Sequence, residues 1–463
     1  MFQDPAKLQA TATASRASFG LAILRAQIAR LPLMHVSSAG AFAVLVVGAG
    51  ISYLAQVATA RILGAESFGI YAYAFSWTTL LAYISTLGFH VSLLRLAPTY
   101  LARNELSHLR GLLLFAALGT LATGVAISTA LLGLFLYFEE PSGELGTTLL
   151  IGLAAAPLLA LQLVGAATAR AFGSVVAALA PERLGRDLIA IILLAGLVWS
   201  NLAPAQATVA MVAMLGSAML ILWLAIRLVR KVSSPVLDFG PAAFAPKDWI
   251  RPALPLTLIM LADVVMGRSG VVVLGLIGEI RSAGVFAAVF AMATLVSLPR
   301  MAVAAAFAPT VADLYARGDR VGLQTLSARA ARLSLAGAIV VAVPLLAFAP
   351  QLLTLFGPYF AIGSTAVFLL VAGHLVAAAA GPQQHILTMT GREPDAAKLQ
   401  GAAALCGVGL CFALAPRYGV TGTAAALAGA TILWNLGMAW VVWSRLGIRP
   451  GLLARTHRTV TNE

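Results

Sequence analysis

Charge is what this sequence has least of. Only 10% of its 463 residues are Asp, Glu, Lys or Arg, against about 25% in a soluble domain. Acidic residues are the scarcer sign, 17 against 30 Lys and Arg. No polar stretch apart from the N-terminal tail is long enough to matter, which excludes a sizeable water-soluble domain. Cysteine is nearly absent: Cys406 and Cys411 are the only two. Five residues apart in one apolar run, they point to different helical faces. That argues against an intrahelical disulfide, and neither has metal-site company. They read as buried apolar fillers.

Hydrophobic residues dominate instead, at 60% of the chain and a mean hydropathy of +0.94. A spanning helix needs about 20 apolar residues. Twelve segments qualify, at about 39–59, 69–94, 111–137, 147–169, 187–201, 206–228, 252–278, 283–308, 330–350, 362–389, 397–415 and 421–444. The fifth is short. Many carry glycine and proline, which permit close packing and kinks in membrane helices. The expected fold is an all-α polytopic membrane protein of about 12 transmembrane helices.

A net charge of +13 raises nucleic acid as a partner, but its placement argues against one. With the N-terminus inside, 25 of the 30 Lys and Arg fall on the inner side and only Arg61, Arg281 and Arg417 on the outer side. Such an excess sets orientation, with both termini cytoplasmic. The outer loop after the third segment is acidic, with Glu139, Glu140 and Glu144. Five regions follow: a basic, amphipathic cytoplasmic tail over 1–35, a first six-helix bundle over 36–228, a proline-bearing cytoplasmic linker over 229–251, a second six-helix bundle over 252–445, and a basic cytoplasmic tail over 446–463. The first tail lacks the ordered segments of a signal peptide and suits a helix lying on the membrane surface.

The two bundles repeat one another. LGAESFGIYAYAFS (63–76) matches IGEIRSAGVFAAVFA (277–291), and APTYLARNE (97–105) matches APTVADLYARGD (308–319). Each second motif closes its helix with Ala-Pro-Thr and adds a basic hook, with Arg103 and Arg317 lying 214 residues apart. Both copies run outside to inside, so the pseudo-repeat is parallel, as in many transporters.

These motifs, together with LTMTGRE and PRYGVTGTAAA, give a chain that resembles the polysaccharide or oligosaccharide flippases. These are the O-antigen translocase branch of the multidrug/oligosaccharidyl-lipid/polysaccharide exporter superfamily. The likeness covers roughly 37–445. It implies two bundles around a central cavity and alternating access, with no enzymatic step. It also implies a bacterial inner-membrane protein whose cargo is oligosaccharide on undecaprenyl pyrophosphate. Implied partners are membrane lipids and, in the pathway, polysaccharide polymerase and chain-length machinery. No cofactor is implied; coupling to protons or sodium stays open. Two alternatives remain, a cation-coupled drug antiporter of the same superfamily and a lipid II flippase, although the latter branch implies fourteen helices. A membrane-embedded glycosyltransferase or polymerase would need a larger outer loop than the one at 137–146.

Charges inside the spans carry the functional reading, because each costs about 3 kcal/mol at the bilayer centre and normally faces a cavity. Arg300 in the eighth segment and Arg268 in the seventh suit a pyrophosphate, since the guanidinium fork pairs phosphate oxygens and stays charged. Arg300 also reads as a residue snorkelling to the headgroups. Asp263 is the coupling candidate. It lies five residues before Arg268 and about 140° around the helix, too far for a pair within the helix; both also read as members of structural ion pairs between helices. His90 and His374 are cavity or proton-relay candidates, against the plainer reading of buried neutral histidines. Arg95 is a cavity candidate through its place in the repeat, and Arg61 an anchor for headgroups. Gln56, Gln162 and Asn435 read as hydrogen-bonding links between helices.

Overall fold

The computed structural model describes residues 31–138, 143–173, 179–237, 241–449 and 451. The basic tail up to residue 30, Glu139 and Glu140, and nearly all of the C-terminal tail lie outside the described residues. Regular structure among the described residues is helical throughout. The first half contains α1 (Leu31–Ser85), α2 (Phe89–Ala102), α3 (Leu106–Phe138), α4 (Gly143–Ala171), α5 (Arg186–Trp199) and α6 (Ala207–Leu237). The second contains α7 (Pro246–Leu276), α8 (Ile280–Thr294), α9 (Leu298–Ala316), α10 (Arg320–Ala347), the short α11 (Ala349–Thr354), α12 (Ser364–Ala380), α13 (Gln383–Met389) and α14 (Glu393–Leu446).

Nine helical stretches among the described residues are long and apolar enough to cross a membrane. Two of them hold two spans each. A straight helix of 55 residues, the length of α1, would be about 80 Å long at 1.5 Å per residue, far more than a hydrocarbon core of about 30 Å. It folds at Gly64 (φ 76°, ψ 173°), and α14 folds likewise at Gly419 (φ 52°, ψ −130°). Backbone of this kind is open to glycine at little cost. The fifth span is the 14-residue α5, extended at its start by a π turn, Pro181–Gly185. All twelve expected segments are thus helical. Four are broken where a single span was expected, the ninth close to its end at Phe348. The second breaks at Thr86–Gly88, the eighth at a 3₁₀ turn over Leu295–Ser297, and the tenth at Gly381–Pro382.

The repeat is visible in the backbone. Gly64 and Gly278, Asn104 and Gly318, and Gly143 and Gly357 all have positive φ, and each pair lies 214 residues apart. Ala-Pro-Thr does not close either helix, contrary to expectation. The first runs about one turn further, to Ala102, and the second nearly two turns, to Ala316, with Arg103 and Arg317 as the C-caps. The two six-helix halves are therefore parallel copies.

The halves meet at the Gly64 end through their repeated segments. The largest core cluster joins Phe68 and Tyr73 of the first half to Val285, Phe286, Val289, Phe356 and Phe360 of the second. Backbones touch there: a Cβ on Gly69 would lie 2.2 Å from the Ile280 carbonyl oxygen, and one on Gly284 would lie 2.9 Å from Gly69 Cα. Small residues permit such contact, which holds helices together where water exclusion cannot. Arg281 and Glu66 pair across the seam at 2.6 Å. Arg61 donates from Nε to the Leu355 carbonyl at 2.5 Å and from Nη2 to that of Thr354 at 2.7 Å. Arg61 therefore joins the two halves rather than anchoring headgroups, because the end of α11 presents two backbone carbonyls to its guanidinium.

The opposite end carries the connection between halves. Here 229–251 is not a free linker: α6 continues to Leu237 and α7 starts at Pro246. Trp249 is buried against Phe115 and donates from Nε1 to the Tyr100 hydroxyl at 2.9 Å. Cys411 is buried as expected, but Cys406 is exposed on the surface of α14, so only one of the two is a core filler.

Candidate functional site

A cavity of about 530 Å³ lies between the halves. One wall comes from both limbs of α1, with Ser52, Gln56 and Thr59 before the fold and Phe75, Ser76 and Tyr83 after it. The others come from α5 (Arg186, Asp187), α7 (Asp263, Arg268) and the α8–α9 region (Thr294, Ser297, Met301). Aromatic packing closes the Gly64 end, where Tyr53 stands edge-on to Phe356 at 5.5 Å and Phe68 meets Phe360 at 5.8 Å. Arg183 and Met301 line the cavity and are also exposed, which places its mouth toward the other end.

The π turn before α5 positions the first arginines. Pro181 starts it, and the wider turn re-aims the side chains that follow, as such turns do at functional sites. The first limb of α1 packs on it through Gly48, whose Cβ would meet the Arg183 carbonyl oxygen at 3.0 Å. Arg186 pairs with Asp187 at 2.9 Å, and Asp187 also accepts from the Ser52 hydroxyl. Arg268 enters from the other half. Both guanidinium groups lie on the Phe75 ring, Arg186 at 5.8 Å and Arg268 at 5.2 Å from its centroid, and Tyr71 stacks on Phe75 at 5.9 Å.

Arg268 makes no hydrogen bond or ion pair among the described residues. Its cation–π contact is worth about 0.5–2 kcal/mol. Holding a cation in the membrane interior costs about 3 kcal/mol on the mildest scale. The contact therefore does not offset the cost, and the cavity wall carries a cation equipped for an anion it does not find in the protein.

Asp263 lies on the same wall but is turned to a different set of partners. It accepts a hydrogen bond from Gln400 and lies within electrostatic reach of Arg300, with no ion pair among the described residues. Arg300 likewise acts on His374 and His385. These groups form a polar cluster inside the second half, and of them only Asp263 lines the cavity. Gln400 is fully buried and its Oε1 has no hydrogen-bond partner among the described residues.

The six sequence candidates thus separate. Arg268 and Asp263 line the cavity. Arg300 and His374 stand behind Asp263. His90 sits inside the first half, its Nδ1 2.7 Å from the Thr86 hydroxyl and its ring edge-on to Tyr83 at 5.1 Å. Arg95 lies outside the cavity: its side chain is 63% exposed and stands 3.7 Å from Glu393. Sequence reasoning missed Arg183, Arg186, Asp187 and Phe75. The signal was RLGRD at 183–187, a charge cluster directly ahead of the one span too short to cross alone. Of the expected polar links, Gln162 does bond across helices, to the Ala218 carbonyl, while Asn435 bonds Thr431 in its own helix and Gln56 faces the cavity. Among the described residues no three His, Cys, Asp or Glu side chains come together as a metal site.

A family model described as "Polysaccharide biosynthesis protein" matches residues 39–314, more than half of the chain. The comparison with curated proteins returns no match. Solved structures of similar fold include an inward-facing multidrug resistance MATE family transporter of the MOP superfamily. It is 18% identical with a TM-score of 0.68, covering 85% of this chain and 93% of that one. An outward-facing MATE family transporter is 18% identical at a TM-score of 0.59, covering 87% and 94%. A MOP superfamily transporter from Pyrococcus furiosus, described by the reverse polarity of its binding pocket, is 17% identical at 0.60, covering 89% and 95%. At such identities the likeness is one of fold.

Proposed function

The chain belongs to the polysaccharide biosynthesis protein family, and on that premise we propose that it is a flippase for oligosaccharide carried on undecaprenyl pyrophosphate. It is a multi-pass membrane exporter by family and fold; the cargo is our reading. The observation that carries it is Arg268, a cation with no hydrogen bond or ion pair among the described residues, sharing the Phe75 ring with Arg186 in a cavity between two repeated halves. A pyrophosphate crossing about 30 Å of hydrocarbon needs donors to replace water, and arginine supplies them in a planar fork. The saccharide needs a chamber, and the lipid tail needs a side open to the bilayer.

In this reading the mouth beside Arg183 and Met301 faces the cytoplasm of a bacterial inner membrane, as the basic loops suggest. Cargo binds there, the halves rock about the cavity, and the seam at Gly64 opens. The protein acts without making or breaking a covalent bond and hands its cargo to polymerase and chain-length machinery outside. Asp263 is the coupling group, because it touches both the cavity and the cluster behind it; protons or sodium are its candidate ions. A second reading, cation-coupled drug efflux, draws support from Asp187 and Asp263 in the cavity. Asp187 is already occupied by Arg186 and Ser52, which favours the anionic cargo.

Reconstituted vesicles test this. Wild type is expected to move a lipid-linked oligosaccharide into reach of an added lectin, and Arg268→Gln to slow that movement at least tenfold. Transport equal in the two proteins would remove Arg268, and the argument built on it.

A further inference from the structure

We propose that the short segment after α14 is a clamp. It closes the polar cluster of the second half on its cytoplasmic side, so that Asp263 meets its coupling ion only through the cavity. This rests on the coupling role given to Asp263 above and adds how the ion is kept from leaking past the cargo.

The segment turns back at once. Gly447 ends α14 in left-handed backbone (φ 70°), and Ile448 then enters the core cluster that holds Leu323 of α10 and Ile386 and Leu387 of α13. One side chain fastens the backbone at Arg449. Gln324 of α10 donates from Nε2 to the Arg449 carbonyl at 2.9 Å, and its Oε1 accepts from the Arg449 N–H at 2.7 Å. Gly451 is buried, and a Cβ there would lie 2.7 Å from the Ala379 carbonyl oxygen. The segment therefore lies against the break of the tenth span, just ahead of Gly381–Pro382.

What it covers is polar. Eight buried side-chain atoms among the described residues have no hydrogen-bond partner, and five of them surround this break: Ser327 and Ser334 Oγ of α10, Gln383 Oε1 and His385 Nδ1 of α13, and Gln400 Oε1 of α14. Gln324, Ser327, Ala331 and Ser334 share one face of α10 at helical spacing, and a Cβ on Gly381 would meet Ala331 at 3.1 Å. Buried polar groups of this kind take water where water can reach them. The groups run from Gln400, which bonds Asp263, to the foot of the clamp, so an opening there would wet the carboxylate from behind. The first half has neither part. Its α4 runs unbroken over Gly143–Ala171, and α6 continues as helix to Leu237. Break and clamp occur together in the half that holds the coupling carboxylate.

The test uses the full chain in nanodiscs, with Cys406→Ser to silence the exposed thiol, Ser327→Cys as reporter and a charged methanethiosulfonate as probe. Ser327 is 3% exposed, so the reporter is expected to label slowly with the clamp in place. Gln324→Ala, which removes both bonds, and Gly451→Leu, which drives a side chain toward the Ala379 carbonyl, are each expected to raise the rate tenfold or more. Cys411, buried in the same chain, is expected to stay unlabelled. Labelling of both thiols in both variants would make the segment part of the general fold and overturn the clamp. So would equal reporter rates in all three proteins. Transport of lipid-linked oligosaccharide in vesicles separates the two levels. The released variants are expected to keep downhill movement and lose most of its response to an imposed proton or sodium gradient. Clamp-dependent labelling with an undiminished gradient response overturns the clamp as a seal for Asp263. Clamp-dependent labelling with no transport by wild type keeps the seal and removes the flippase reading beneath it.

Discussion

Replacing Gly69 with alanine tests whether the seam at the Gly64 end is a gate. The new methyl group would lie 2.2 Å from the Ile280 carbonyl oxygen and 2.9 Å from its carbon. Both are backbone atoms, so no side chain can swing aside. Restoring ordinary contact needs a separation of about 1 Å, and in a close-packed interior such a shift is felt across the interface. Overpacking of this kind costs about 1–3 kcal/mol. The cost falls on the state in which the halves touch and vanishes once they part. A difference of that size moves a two-state equilibrium about 5–150-fold. Spin labels at Leu202 and Tyr418, both exposed and one on each half, would report the separation in nanodiscs. Gly69→Ala is expected to populate a longer distance. Gly409→Ala, where nothing lies within 4 Å of the added Cβ, is expected to leave the distribution unchanged. Identical distributions and melting temperatures for Gly69→Ala and wild type would refute the gate.

Other predictions follow from the same contacts. Arg61→Ala removes the donor to the Thr354 and Leu355 carbonyls and is expected to lengthen the same label distance. Glu66→Arg is expected to do so through repulsion with Arg281, and the double exchange Glu66→Arg/Arg281→Glu to restore the wild-type distance; failure of the exchange would make the pair incidental. Gly88→Ala forces a side chain to φ +76° and places its Cβ 1.7 Å from the Thr257 hydroxyl oxygen, so a lower melting temperature is expected, by about 1–3 kcal/mol of overpacking. Asp263→Asn keeps the bond from Gln400 within reach but fixes the charge. It is expected to abolish the response of transport to an imposed proton or sodium gradient while downhill movement continues, and an unchanged gradient response would take the coupling role from Asp263.

Much of the architecture was legible because a bilayer leaves few choices. Length and hydropathy alone placed twelve segments, since a spanning chain must satisfy its backbone within itself. The repeat was legible in its loops, where Gly64 and Gly278 need positive φ and so keep their glycines. Asp263 and Arg268 were legible as charges in apolar runs. Arg186 was not, because a basic residue at the edge of a span looks like any other cytoplasmic flank. Only the π turn, which has no sequence mark beyond Pro181, carries it into the cavity. Arg95 misled in the opposite direction. Its place in the repeat mirrors a cavity helix, but no periodicity shows that its side chain stands exposed beside Glu393. Arg61 was misread because its partners are backbone carbonyls from a six-residue helix nearly three hundred positions away.

The most direct measurement loads one set of vesicles with a lipid-linked oligosaccharide and a lipophilic organic cation and follows both across the membrane through the wild-type protein. The account predicts movement of the saccharide-lipid, competed by farnesyl pyrophosphate and indifferent to the cation. Gradient-driven efflux of the cation, with the saccharide-lipid left where it started, would contradict it.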